Sequence, residues 1–295
     1  MSYPLSLHST DIGRANLRTL LEAAQTAGFE YAEPTIVQVQ HFLDAGYSTQ
    51  DVRQLAGGVK LSAMGWISNC ERQGYEYVQM MKEAEEVFRI AAGIGAEAVE
   101  ILNGPVDYHA VESYRTGTRY QGYMGLQGLP IEQQEWLTMK NLQALADLAA
   151  QFGLTIYFEA LCWTPVCSPE QSVRICQRAE RDNLKIVFDF FHAYIAGVQT
   201  EYISRIPKEM ILGVHVCDSL EYPKGHVPIE PVLRRPRLGE GVVPIQEWVD
   251  AIRSTGFDRW WAYESFSPID AEANPMELAK QIHNQLTILV NDKGK

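Results

Sequence analysis

Four apolar runs in the second half of the chain each end on a side chain able to bind a metal: IYFE at Glu159, IVFD at Asp189, GVH at His215 and WAYE at Glu264. Burying such a group at the end of an apolar run is costly unless it finds a partner. Taken singly, each acid could cap the next helix or pair with a neighbouring charge, and a lone histidine is commonly a satisfied core residue. Four in succession ask for one common explanation. Three carboxylates and one imidazole suit a hard-to-borderline divalent ion, Mn²⁺ first with Mg²⁺ or Co²⁺ as alternatives, better than a structural zinc. The metal set expected from the sequence is therefore Glu159, Asp189, His215 and Glu264.

Those residues need elements that bring them together. Short apolar runs alternate with amphipathic stretches about eight times in the 295 residues. The expected strands are Leu5–His8, Tyr31–Thr35, Lys60–Gly65, Ala98–Leu102, Thr155–Glu159, Lys185–Asp189, Leu212–Cys217 and Trp260–Glu264. Helices are expected over Asn16–Ala27, Tyr75–Ile94, Glu132–Phe152, a segment opened by Ser168-Pro169, Pro244–Thr255 and Pro275–Val290. Gly28, Gly95 and Gly153 close three of them. The phrase "helix, Gly, short gap, apolar strand" recurs as AGFEYAE, IGAEAVEIL, FGLTIYFEA and TGFDRWWAYE. This is the helix-to-strand joint of a parallel sheet covered on both faces. A doubly wound sheet competes, but no GxGxxG follows the first strand. Eight units in this length favour one α/β domain, a (β/α)8 barrel spanning 1–295, whose C-terminal strand ends meet at the mouth. His8, Glu33, Trp66, Asn103, Trp163 and Cys217 also fall near strand ends. Trp66 could offer a sugar an apolar platform. The irregular, Gly- and Tyr-rich stretch Gly104–Pro130 is expected to be a lid over the site.

The bulk composition narrows the partners. A formal charge of −12 argues against nucleic acid, which needs basic patches. The one dense basic stretch, Arg234-Arg235-Pro236-Arg237, reads as a solvated loop. No apolar run approaches the ~20 residues of a membrane span. Five scattered cysteines without a CxxC pair suggest reduced thiols. A cytoplasmic chain, with no membrane partner and assembling as a homo-oligomer, is the expectation.

From Thr155 to Phe266 the order Glu159, Asp189-Phe-Phe-His192, His215-Val-Cys-Asp218, Arg237-Leu-Gly-Glu-Gly241 and Glu264 resembles the xylose-isomerase-like TIM barrels. That superfamily holds sugar isomerases and epimerases together with endonuclease IV, and the likeness extends over essentially the whole chain. The nearest branches are the ketose 3-epimerases and the inosose dehydratases. The resemblance implies that the four strand-end residues hold one metal and that Glu159 and Glu264 move the substrate proton on opposite faces. It implies that His192 contacts the sugar and that the Arg237 loop lies beside it, with His8, Trp66 and Asn103 as further candidates for substrate contacts. Three positions depart from the epimerase pattern: Pro165 stands where a further acid is usual, Glu221 where an arginine is, and Leu238 where a proline is. Endonuclease IV fits less well, because its three-metal site is richer in histidine.

A metal held against two adjacent oxygens of a keto-sugar polarises the carbonyl and stabilises the enediolate left by loss of the neighbouring proton. Return of the proton to the same carbon from the other face epimerises. Return to the next carbon isomerises, and loss of a β-hydroxyl dehydrates. The expected function is a metal-dependent sugar isomerase or epimerase on a sugar or polyol-derived ketone. A dehydratase is the first alternative and a non-catalytic sugar-binding barrel the second.

Overall fold

The structure is a computed structural model that describes residues 2–13 and 15–291. Nine parallel strand segments line up in sequence: β1 (Leu5–His8), β2 (Tyr31–Glu33), β3 (Lys60–Leu61), β4 (Met64–Ile67), β5 (Ala98–Leu102), β6 (Thr155–Glu159), β7 (Leu184–Asp189), β8 (Ile211–Val216) and β9 (Trp260–Tyr263). Their order is β3-β2-β1-β9-β8-β7-β6-β5-β4. Since β3 and β4 are consecutive pieces of one stave, nine segments make the eight staves of a TIM barrel. The ring closes through that stave. Its lower piece pairs with β2 and its upper piece with β5. Single bridges join Leu61 to Ala96 and Thr35 to Gly65.

The break in the third stave corrects the single run expected over Lys60–Gly65. Ser62 N–H still donates to Ala32 O at 3.1 Å, and Gly65 N–H to Pro34 O at 3.1 Å. The register against β5 shifts between Met64 and Ile67. Gly65 is where the buried Glu100 carboxyl enters the wall: a Cβ there would lie 2.4 Å from Glu100 Oε2.

The helices follow the expected stop and start chemistry. Gly28 and Gly95 end theirs in the left-handed region at φ 88° and 84°. Ser168 and Gln171 form a capping box, with Pro169 in the first turn. Two expectations change at irregular stretches. The segment 104–130 contains a helix, Tyr108–Thr116, capped by Asp107 and closed by Gly117. The last helix, Pro275–Leu286, passes into a π-helical turn over Thr287–Asn291.

Inside the barrel, inward-facing residues recur every second position. Low in the barrel, Trp260 packs with Ala63, Ala98, Val187 and Ala262 in one buried cluster. Gly213 makes room for the indole, since a Cβ there would sit 2.1 Å from it. One inward step further along each strand, small, aromatic or aliphatic side chains give way to reactive ones. Ser6 gives way to His8, Tyr31 to Glu33, Ala98 to Glu100, Tyr157 to Glu159, Val187 to Asp189, Gly213 to His215 and Ala262 to Glu264. All five cysteines are free. Among the described residues no helix is long and apolar enough to cross a membrane.

Candidate active site

Glu159 and Asp189 close β6 and β7, His215 is the last residue but one of β8, and Glu264 directly follows β9. Asp189 and His215 are paired in register, and Glu264 N–H donates to Val216 O at 3.0 Å. Glu159 and Glu264 come from the strands on either side of that pair, β6 and β9. One ligand-type atom from each lies within 4.8 Å of the others, and all four residues are buried. Asp189 is also the N-cap of the next helix, its Oδ1 accepting His192 N–H at 2.8 Å, which fixes the carboxylate's direction.

The donor set fits a divalent cation. Buried Glu159 Oε1 and both His215 ring nitrogens have no hydrogen-bond partner, although His215 Nδ1 lies 2.8 Å from Glu264 Oε2 and 3.9 Å from Glu159 Oε1. Buried polar atoms without partners carry a desolvation cost that coordination would remove. The charges are strongly coupled. Burial alone would raise the Glu159 carboxyl, but His215 and His192 outweigh it and hold it at about 2. Burial likewise opposes ionisation of Glu264, and Arg234, His8 and His215 overcome it, keeping that carboxyl well below its usual range. His215 is pushed the other way: burial would lower its pKa, and the surrounding glutamates raise it well above normal. The His8 imidazole is lowered by burial, against the pull of Glu264 and Glu33.

Arg234 is the residue that sequence reasoning misplaced. It lies not in a solvated loop but at 1% exposure in the mouth of the barrel. Its Nη2 bonds Asp189 Oδ2 and reaches Glu264 Oε2 at 2.9 Å, its Nη1 reaches Glu230 Oε1 at 2.8 Å, and its Nε donates to Glu264 O at 3.1 Å. Phe191 and Phe266 cover the guanidinium at 5.5 and 5.7 Å. Glu230, from the short helix Glu230–Leu233, was also missed. Its carboxyl is raised by burial against the pull of Arg234 and His192. Nothing in the local sequence separates Arg234 from the solvated Arg235. The signal available was the i, i+4 spacing of Glu230 and Arg234, which puts both on one helical face.

A cavity of about 310 Å³ opens on this cluster, lined among others by His8, Glu159, His192, Glu230, Arg234 and Glu264. His192 Nδ1 accepts Cys162 N–H at 3.2 Å, so its ring proton is on Nε2. That nitrogen lies between Glu159 Oε1 at 3.8 Å and Glu230 Oε1 at 3.7 Å. Trp66 lines the cavity while 42% exposed. Buried Trp163 also lines it and ties its indole N–H to Pro105 O and Val106 O at 3.1 Å.

Other candidates lie elsewhere. Arg237 is outside the cavity lining and bonds Asp270 instead. Asn103 spends its amide on the loop after β6, through Thr164, Val166 and Leu161 N–H. Cys217 is buried behind the site. Glu33 lies below it, accepting from Tyr157 O–H, with Oε2 3.5 Å from His215 Nε2. Glu100 completes this lower layer, its carboxyl raised well above normal by burial and by Glu159. Glu100 was legible as the residue two places after an inward alanine, but it sits inside AVEIL, a run that reads as uniformly buried.

A parallel barrel with a carboxylate–imidazole cluster at the C-terminal strand ends carries its reactive groups where α/β-barrel active sites lie. Residues 21–285 match the xylose isomerase-like TIM barrel family, and the chain belongs to it. It is 22% identical to an inosose isomerase of Bacillus velezensis, over 88% of this chain and 87% of that one. It is 24% identical to an inosose dehydratase of Geobacillus thermodenitrificans, over 50% of this chain and 52% of that one. Among solved structures, the IolI protein with a bound zinc atom superposes with a TM-score of 0.84 at 18% identity, covering 99% of this chain and 98% of that one.

Proposed function

We propose that this chain is a divalent-metal-dependent enzyme that removes a proton next to the carbonyl of a keto-sugar or polyol-derived ketone and returns it, as an epimerase or isomerase. The observation that carries this reading is the Glu159–Asp189–His215–Glu264 cluster, which reaches the inner cavity through Glu159 and Glu264 and includes buried Glu159 and His215 atoms that lack partners. These four would hold the ion. Mn²⁺, Mg²⁺ and Co²⁺ suit the donor set, and the zinc of the IolI structure joins them as a candidate. When bound, the ion would polarise the substrate carbonyl and offset the charge that develops on its oxygen.

The remaining steps fall to the side chains. Glu159 and Glu264 rise from β6 and β9 with two strands between them, so they meet a ligand from different sides. One takes the proton and the other returns it. Arg234 keeps Glu264 ionised and hence a base. His192, with its proton on Nε2, donates to a substrate hydroxyl. Trp66 offers a ring face, and the segment 104–130, which brings Val106, Asp107 and Tyr108 to the cavity wall, acts as a lid.

One observation favours dehydration as a second reading. Glu230 lines the cavity beside His192, and burial favours its protonated form. An acid there could protonate a departing β-hydroxyl. The test uses purified protein, a panel of ketoses and inososes, and deuterated water. Wild type should incorporate deuterium next to the carbonyl, and Glu159→Gln and His215→Ala should lose bound metal and nearly all turnover. Full metal occupancy in His215→Ala sinks the site. Conversion without deuterium exchange sinks proton transfer through solvent-exchangeable groups, and absence of any turnover leaves a sugar-binding barrel.

A further inference from the structure

A second cavity, of about 620 Å³, lies against the first, and Trp66 and Thr10 line both. Thr10 is joined to the inner site directly, its hydroxyl 2.7 Å from His8 Nδ1. The two spaces therefore meet at one tryptophan and one threonine. Their linings differ in chemistry. Five acids line the inner cavity, whereas among the described residues no Asp or Glu lines the outer one.

What the outer cavity offers is flat rings and neutral polar groups. Phe42 and Tyr47 are stacked, with centroids 4.3 Å apart and planes at 15°, and Tyr47 is 47% exposed. Ser9 lines the same space at 4% exposure, and its hydroxyl has no partner among the described residues. A buried hydroxyl without a partner beside an aromatic platform is the pairing that recognises a hydroxylated ring: C–H faces stack and an O–H is bonded. Arg18, a cationic side chain of the described lining, pairs with Glu22 at 3.8 Å. The chemistry favours a neutral ring over an anionic group. Size agrees, because ligand pockets span roughly 300–1,000 Å³ and the inner cavity alone sits at the lower limit.

We propose that the outer cavity is a second subsite and that the substrate has two parts: a keto-bearing unit at the acidic cluster and a neutral glycosyl unit beyond Trp66. This rests on the keto-sugar reading above. It is tested by calorimetric titration of Mn²⁺-loaded and metal-stripped protein with D-fructose and with four glucosyl-fructoses, linked through the 3-, 4-, 5- or 6-oxygen (turanose, maltulose, leucrose and isomaltulose). At least one disaccharide should bind the loaded protein tenfold or more tightly than fructose. Tyr47→Ala should bring that ratio to about one, and Tyr47→Phe, which keeps the ring, should preserve it. Metal-dependent binding of fructose with no disaccharide gain overturns the subsite alone. Fructose binding that ignores the metal overturns the keto-sugar reading instead, and absence of binding by all five sugars overturns both. A dimer that Tyr47→Ala converts to monomer, with the ratio unchanged, assigns the groove to a second copy of the chain and also overturns the proposal.

Discussion

Arg234 holds three carboxylates at once, those of Asp189, Glu230 and Glu264, and is almost wholly out of water. A buried ion network is weak evidence for net stability, but removing one member leaves uncompensated charge and costs about 3–5 kcal/mol. Arg234→Met, which keeps much of the stem's bulk, should therefore destabilise metal-stripped protein by about that amount in urea unfolding. Added divalent metal should narrow the gap by supplying positive charge to the same acids. Because Arg234 is also what lowers the Glu264 carboxyl, its loss raises that group and moves the acidic limb of the rate–pH profile to higher pH. Equal unfolding midpoints with and without the guanidinium would remove this account. Sequence could not single the arginine out. Arg234, Arg235 and Arg237 share a loop and a charge, and which of them turns inward is decided by carboxylates up to 45 residues away.

Elements set where the reactive groups stand. Gly213 and His215 face inward on the same strand, and the glycine admits the Trp260 indole that fills the layer beneath. Gly213→Ala would force the indole or β8 to shift. Overpacking of this kind costs typically about 1–3 kcal/mol. The variant should unfold at lower denaturant by about that much and bind metal more weakly as His215 moves, as read by urea melts and metal titration. A melt and a metal affinity equal to wild type would mean the layer has slack. The strand ends were legible because an apolar run that stops on a ligand-type residue is unusual in itself, and β1, β5 and β6 have the expected limits. The broken third stave was not legible. Ser62 and Ala63 read as ordinary strand, and it is Glu100, from the neighbouring stave, that enters at Gly65.

At the scale of the whole molecule, eight staves gather seven inward reactive groups inside the barrel, and the segment 104–130 forms an arch that brings Val106, Asp107 and Tyr108 to the cavity wall. Glu71 accepts Gly104 N–H at 2.8 Å where the arch begins, and Tyr120 bonds Asp107 within it. We expect amide exchange over Val106–Tyr120 to slow when a ketose or inosose occupies the inner cavity, as lid closure requires. Exchange that is the same with and without ligand would make the arch a fixed rim. The length and Gly–Tyr composition of the segment were visible in sequence. Its helix was not, because Tyr108–Thr116 is too short to show a clear period.

In the metal-free site, ionised Asp107, Glu159 and Glu264 stand against one guanidinium in the lining of the inner cavity, and this also bears on how fast things arrive. A cleft lined by one sign of charge focuses the field at its mouth, speeding ions of opposite sign and slowing those of like sign. Divalent cations are thus drawn in, and added salt slows their capture. An uncharged ketose meets no such field and enters at the same pace in dilute and concentrated buffer. A phosphorylated one is repelled at low ionic strength and gains as salt is raised. The cavity sorts its visitors by charge before any of them touches a side chain.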